Sequence, residues 1–336
     1  MSSLLNNNLL RTLGFVLTIV LLLVAMLSSV VLGYTDITWK MAVEAYTQFD
    51  HSNEHIIIKD TRVPRALIAA VVGASLGLAG ALMQALTRNP LASPGIFGIN
   101  AGAGFFVVCA ISFFSMTSLA EFTWMAFLGA AIAASVVYVL GSMGREGLTP
   151  VRLTLAGAAI AAMFSSLTQG VLVMNEQALD QILFWLAGSI EGRSLDHLQM
   201  VMPYLLVAWI AALLIGKHIN VLSMGEDMAR GLGQRTWLIK VLSAMIIIIA
   251  AGGSVAVTGP IAFIGLVVPH FARYVSGIDY RWVIPYSALF GAILLIVADV
   301  GSRFIIMPKE VPVGVMTALI GVPFFVYIAR KGAKQL

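Results

Sequence analysis

Ten runs of roughly 20 apolar residues, separated by short polar breaks, take up most of this chain and constrain it more than any other feature. A hydrocarbon core about 30 Å thick takes roughly 20 helical residues to cross. By that ruler the runs at 9–33, 64–86, 95–114, 122–141, 151–173, 198–216, 236–258, 260–276, 282–304 and 311–330 read as membrane spans. A helix satisfies all its backbone N–H and C=O groups within one segment, whereas an open strand leaves its edges unpaired in lipid. The expected fold is therefore an all-α polytopic bundle of about ten transmembrane helices, forming a single domain over 1–336. Composition agrees: 60% of the 336 residues are hydrophobic and 11% are charged, against roughly 25% charged in a soluble domain. So few charges cannot coat a water-facing surface of this size, which excludes a soluble enzyme, a nucleic-acid module and a disordered chain. The first run is too long for a signal-peptide core and has no small-residue cleavage site, so it reads as a retained helix. The eighth run begins at Gly259-Pro260 and carries Pro269 and His270, which fits a partial helix buried among the others better than a full span.

An even number of spans places both termini on one side. With the termini in the cytoplasm, Lys40, Lys59, Arg62, Arg65, Arg193, Arg303 and Lys309 lie outside, and the other 13 of the 20 Lys and Arg residues lie inside. That is the direction of the positive-inside rule. The net charge of +4 is thus a statement about orientation before it is one about partners. The single cysteine, Cys109, sits in an apolar run and excludes an internal disulfide.

Two segments between spans are long enough to hold structure. Outside, Trp39, Val43, Tyr46 and Phe49 recur at helical spacing within 34–61 and predict an amphipathic helix on the membrane surface. Inside, in the segment 217–235, Ser223 followed by Glu226 has capping-box spacing. Met224, Met228 and Leu232 then share one helical face, and Gly231 and Gly233 end it. The residues predict a short exposed helix with an apolar face. They suit a plug for a partner's groove and a helix lying on the bilayer equally well.

Within the spans, Gly73/Gly77, Gly98/Gly102 and Gly157/Ala161 place small residues one turn apart, where helices approach closely. Gly73-Ala74-Ser75-Leu76-Gly77 also matches the G-x-S-x-G pattern of serine hydrolases, and His270 is a candidate base for an intramembrane protease. Against that, the pattern needs a strand-to-helix elbow, and the topology puts Ser75 mid-membrane and His270 near the cytoplasmic face. His51 and His55 are four apart but have no third metal ligand in view. The only Gly-Lys pair, Gly216-Lys217, has Ala211 where a phosphate-binding loop needs glycine. No catalytic residue and no metal site is assigned, and any ATP that drives this chain must be bound by another polypeptide.

A set of motifs in order resembles the membrane subunit of the iron-siderophore and cobalamin (FecCD-type) ABC importers. From about Arg62 to Phe325 they are Arg62-Val63-Pro64-Arg65, Gly80-Ala81-Leu82-Met83-Gln84, Asn89-Pro90-Leu91-Ala92-Ser93-Pro94, Leu155-Ala156-Gly157 and Trp185-Leu186-Ala187-Gly188-Ser189. Next come the run Ser223 to Gly233, then Ile261 to His270, Ala298-Asp299 with Arg303, Glu310-Val311-Pro312-Val313-Gly314 and Gly321-Val322-Pro323-Phe324-Phe325.

The resemblance implies a type II ABC importer permease for iron(III)-siderophores, with cobalamin or haem as the alternative cargo. It implies that Ser223, Met224, Gly225, Glu226, Asp227, Met228, Ala229, Arg230, Gly231, Leu232 and Gly233 dock on a dimer of ATP-binding subunits, which hold the ATP and Mg²⁺. It further implies that Arg62, Arg65 and, less securely, Arg303 pair with acidic residues of an extracytoplasmic substrate-binding protein. A second permease subunit, identical or paralogous, would complete a path lined by 151–173 and 311–330, with a cytoplasmic constriction near Thr149, Pro150 and Val151. Gln169 and Asn175 are candidate polar contacts on that path. For Asp299, an ion pair with Arg303 four residues on competes with a functional role. Lipid is the remaining partner, and nucleic acid is not one.

Overall fold

The computed structural model describes residues 4–5, 7–143, 149–174, 179–307 and 309–333. In chain order these form α1 (Asn8–Val31), α2 (Trp39–Thr47), α3 (Asn53–Ile56) running through a π-helical turn (Ile57–Arg62) into α4 (Val63–Thr87), a 3₁₀ turn (Pro94–Phe97), α5 (Ile99–Phe114) and α6 (Leu119–Ser142). There follow α7 (Pro150–Met174), α8 (Leu179–Leu186), α9 (Leu195–Ser223), α10 (Glu226–Gly231), α11 (Thr236–Thr258), α12 (Ile264–Ser276), α13 (Tyr280–Ser302) and α14 (Val313–Ala333). The bundle is all-α, with no named strand among the described residues.

Seven helices are long and apolar enough to cross a membrane, and α5 and α14 hold shorter apolar stretches. With the 13-residue α12, these account for the ten expected spans. α12 is the partial helix that Gly259-Pro260 and Pro269 predict. Two boundaries move. The sixth span continues two turns further than expected, to Ser223, so the 217–235 segment is not all loop. The fourth outer segment contains an additional short helix, α8, which hydropathy alone does not mark.

The centre is α4. Of its most apolar window 83% is buried, against 11% for α1, which lies at the lipid-facing edge. α4 packs on α9, α11, α12 and α13, and small residues let it do so. A Cβ at Gly73 would lie 2.3 Å from the Gly291 carbonyl oxygen, one at Gly77 2.1 Å from that of Ser287, and one at Gly80 2.0 Å from that of Gly265. Lipid offers no hydrophobic drive between helices, so such backbone contact supplies the dispersion energy that holds them together. Gly102 meets Gly129 of α6 in the same way.

α2 forms where its spacing predicts, capped by Thr38. Its Trp39, Val43 and Tyr46 stay exposed, while Ala45 and Met41 pack on Ile37 and Ile58.

Candidate functional site

Three places carry the residues singled out from the sequence: the end of the bundle where α1 finishes, the exposed faces of α7 and α14, and the opposite end around α10.

At the first, Arg62, Arg65 and Arg303 are all buried, at 4–5% exposure. Arg62 donates to the carbonyls of Val30 (3.2 Å), Val31 (2.6 Å) and Thr35 (2.7 Å). Arg303 donates to the carbonyls of Ser29 and Leu32 and to the Ser29 hydroxyl, at 2.7–2.9 Å. The last carbonyls of a helix have no intrahelical partner and carry its negative dipole end; α1 has no basic residue in its own last turn, and these two guanidiniums supply the cap. Arg65 is clamped between Asp299 (2.8 Å) and Glu310 (2.6 Å), and Asp299, 1% exposed, also pairs with Arg303. The Asp299–Arg303 pair expected from their spacing is therefore present, as one link in a larger network. Glu191, on the loop after α8, feels the same cluster. Partial burial and the carboxylates of Glu310 and Asp299 raise its pKa, and Arg65 opposes them.

This geometry corrects the expectation that the three arginines face a docking protein. Each guanidinium is turned inward because α1 needs a cap and Asp299 needs cations, and neither need shows in linear spacing.

The second place is the long face of α7, of which only 28% of the apolar window is buried. Val151 is 68% exposed, Gln169 is exposed as are Ser165 and Ser166, and no ionisable side chain occurs from Leu153 to Met174 or, tyrosine apart, from Val313 to Ile328 of α14. Thr149 is half-buried, and its hydroxyl accepts from the Arg152 N–H, capping α7 behind Pro150. The Pro150 side chain and Asn175 lie outside the described residues.

The third place is α10. Met224, Met228 and Leu232 are 64%, 55% and 65% exposed, so the apolar face expected for this segment is present and uncovered. Its mounting differs from the expectation. The Ser223 hydroxyl donates to the Asn220 carbonyl instead of capping α10, because α9 reaches Ser223 and the turn is made at Gly225, whose φ of 130° is open to glycine. Glu226 is free of the capping box and binds Lys240 Nζ (2.6 Å), Arg230 (2.7 Å) and the Thr236 hydroxyl (3.3 Å). Burial acts to raise the Glu226 pKa, but these partners outweigh it and hold the group below its ordinary value. Ala229 is fully buried, so α10 is pinned on one side and presents Met224, Met228 and Leu232 on the other.

Two further groups at this end escaped the sequence reading. Asp279 caps α13 and accepts from Asn220 Nδ2 (2.6 Å), while Asn220 Oδ1 accepts from the Tyr280 N–H (2.7 Å), stapling α9 to α13. Gln84 donates to the carbonyls of Gly265 (3.3 Å) and Leu266 (3.1 Å) and accepts from Arg273 (2.6 Å). Pro269 has no N–H for the Gly265 carbonyl, and Gln84 fills that vacancy from α4. The motif containing Gln84 was visible, but the reason for it was not.

No serine-protease dyad forms. The Ser75 hydroxyl donates to the Val71 carbonyl (2.8 Å) and accepts from Trp209 Nε1 (2.9 Å), and His270 Nε2 sits 2.8 Å from the Pro90 carbonyl oxygen. His55 pairs with Asp50, and no metal-binding group of three or more His, Cys, Asp or Glu occurs among the described residues.

Residues 21–331 match the model of the FecCD transport family. The chain belongs to that family. Over 316 residues it is 61% identical to the "Probable siderophore transport system permease protein YfiZ" of Bacillus subtilis (strain 168), covering 94% of this chain and 95% of the relative. It is 42% identical over 313 residues to the ferric enterobactin transport system permease protein FepD of Escherichia coli (strain K12), covering 93% of each. It is 41% identical over 331 residues to the iron(3+)-hydroxamate import system permease protein FhuB of B. subtilis, covering 97% of this chain and 86% of that one. Among solved structures, one described as an inward-facing conformation of a metal-chelate type ABC transporter matches with a TM-score of 0.83 and 27% identity, over 94% of this chain and 98% of the other. A multi-pass permease fold is thus common to sequence, structure and relatives.

Proposed function

We propose that this FecCD permease carries iron(III)-siderophore complexes through the cytoplasmic membrane as the transport subunit of an ABC importer. Cargo class rests on the relatives, whose names include siderophore, hydroxamate and enterobactin systems. The observation within this chain that carries the mechanism is α10. Three large apolar side chains stand exposed on a knob that an ion-paired glutamate fastens to α11, next to the α9–α13 staple. A partner groove would take that face, and a push on a rigidly fastened knob would pass to the long helices. ATP and Mg²⁺ belong on that partner, a dimer of ATP-binding subunits.

The orientation that follows puts α10 and both termini in the cytoplasm and the Arg65–Asp299 network outside. A substrate-binding protein delivers the chelate there, and its acidic groups address surface residues around Glu310 and Lys309 instead of the buried arginines. A second permease, identical or paralogous, pairs along the exposed faces of α7 and α14. The chelate then passes Ser165, Ser166 and Gln169 and leaves past Thr149 and Val151.

The test is uptake of radioactive iron, offered as one ferric siderophore at a time, by cells that lack this gene. Loss for one chelate class, restored by the gene, supports the reading; normal uptake of every chelate in the panel counts against it. For the coupling claim, Met228→Lys adds a charge to the apolar face without touching the Glu226 network. It should leave the assembled transporter hydrolysing ATP with at least tenfold less uptake, and unchanged uptake would refute the docking role.

A further inference from the structure

A cavity of about 290 Å³ opens between α1, α4, α9 and α13 at membrane depth. Phe15, Leu22, Ala74, Trp209, Leu213 and Pro285 are among its walls. The one polar atom those side chains could offer, Trp209 Nε1, is spent on the Ser75 hydroxyl, so the slot is apolar throughout. On α4 it extends from Ala70 to Leu78, about 12 Å at 1.5 Å per residue, which is close to the ~15 Å hydrocarbon depth of one leaflet.

The end of this slot nearest α10 is ringed by cations. Each stands four residues, one helical turn on the same face, beyond a wall residue: Arg11 beyond Phe15 on α1, Lys217 beyond Leu213 on α9, and Arg281 beyond Pro285 on α13. The helix ends that carry them are in contact. A Cβ at Gly216 would meet the Arg281 Cα at 3.4 Å, and the Tyr286 hydroxyl donates to the Arg11 carbonyl at 2.7 Å. Arg281 is held by Asp279 and so adds N–H donors more than net charge. Lys217 is exposed and has no ion-pair or hydrogen-bond partner among the described residues. Arg11 is half-buried, its Nε donating to the Leu5 carbonyl.

An apolar slot one leaflet deep with two uncompensated cations at its aqueous mouth matches a single ligand chemistry. We propose that it binds an anionic phospholipid, one acyl chain lying between α1 and α9 and the phosphate reached by Arg11, Lys217 and Arg281. Clusters of basic residues between helices at a membrane face attract anionic head groups, and the flexible Lys217 stem can snorkel to one. The lipid would tie down α1, which has the least protein contact of the long helices.

Native mass spectrometry of the purified chain in detergent tests this, with dioleoyl phosphatidylglycerol and dioleoyl phosphatidylcholine titrated separately. One phosphatidylglycerol should be retained at about a tenth of the concentration that phosphatidylcholine needs. Arg11→Gln combined with Lys217→Gln should bring the two lipids within about twofold, leaving phosphatidylcholine retention unchanged. Ala288→Leu, which fills the slot from α13 and alters no charge, should weaken both. Equal retention of the two lipids by the unmodified protein would overturn the proposal whether or not any variant folds. An undiminished phosphatidylglycerol preference in the charge variant would overturn it as well.

Discussion

Replacing Asp299 with asparagine should be among the most damaging single changes available to this chain. The carboxylate is 1% exposed and accepts from Arg65 on one oxygen and Arg303 on the other. The local cluster holds three guanidiniums, Arg62, Arg65 and Arg303, against two carboxylates, Asp299 and Glu310, a balance of +1. Asparagine makes it +2 and turns an N–H₂ group towards one of two guanidiniums that can only donate. Breaking a buried ion pair by removing one partner costs about 3–5 kcal/mol. The value here should fall near the lower bound, about 3 kcal/mol, because Arg65 keeps Glu310 and Arg303 keeps Ser29 and Leu32. Unfolding in mixed micelles of detergent and denaturing surfactant measures it, using Asp299→Asn, Arg303→Met and the double variant. The double variant should cost less than the sum of the singles, since the second removal takes away the charge that the first left bare. A loss below about 1 kcal/mol for Asp299→Asn, the range of exposed pairs, or strict additivity, would refute the network as a structural element.

Gly77→Val and Gly80→Val should each cost about 1–3 kcal/mol by forcing α4 off its neighbours, whereas Gly170→Ala, with nothing within 4 Å, should leave the unfolding midpoint unchanged. Gln84→Leu leaves the Gly265 carbonyl and Arg273 without their partner and should cost about 1–3 kcal/mol, read by the same unfolding assay; a neutral result would mean that α12 does not depend on α4 for its missing donor. Asp279 is half-sheltered, which acts to raise its pKa, but hydrogen bonds from Arg281 and Asn220 prevail and bring it to about 2 from 3.8. A group lowered on folding adds stability that is full above its unfolded value and is lost as pH falls through the folded one. Wild type should therefore melt above Asp279→Ala at pH 7, and the two curves should converge between pH 3.8 and about 2; a gap that persists at pH 2 would show that the carboxylate's charge is not what staples α9 to α13.

What was legible in the sequence is what local chemistry dictates. Long apolar runs must be helices in lipid, so the bundle and nearly all its spans follow from composition and length. The partial helix at 264–276 was visible in its prolines, the helix at 39–47 in its amphipathic spacing, and the exposed face of Met224, Met228 and Leu232 in its period. These are properties of contiguous segments, and the bilayer, unlike a protein core, presents nearly the same solvent to each of them.

What only tertiary structure decided is where each polar group spends its hydrogen bonds. Arg62 and Arg303 look, as sequence, like free cations on an outer surface; packing turns them onto α1, 27–32 and 271–274 residues away, because the unpaired carbonyls there must be satisfied. Glu226 leaves a capping box for Lys240, and Gln84 crosses to the carbonyl that Pro269 leaves open 181 residues on. In a medium without water every such group must find a protein partner. Which partner it finds depends on the helices that happen to lie beside it, and that neighbourhood is set by the close glycine contacts of α4, not by any spacing along the chain.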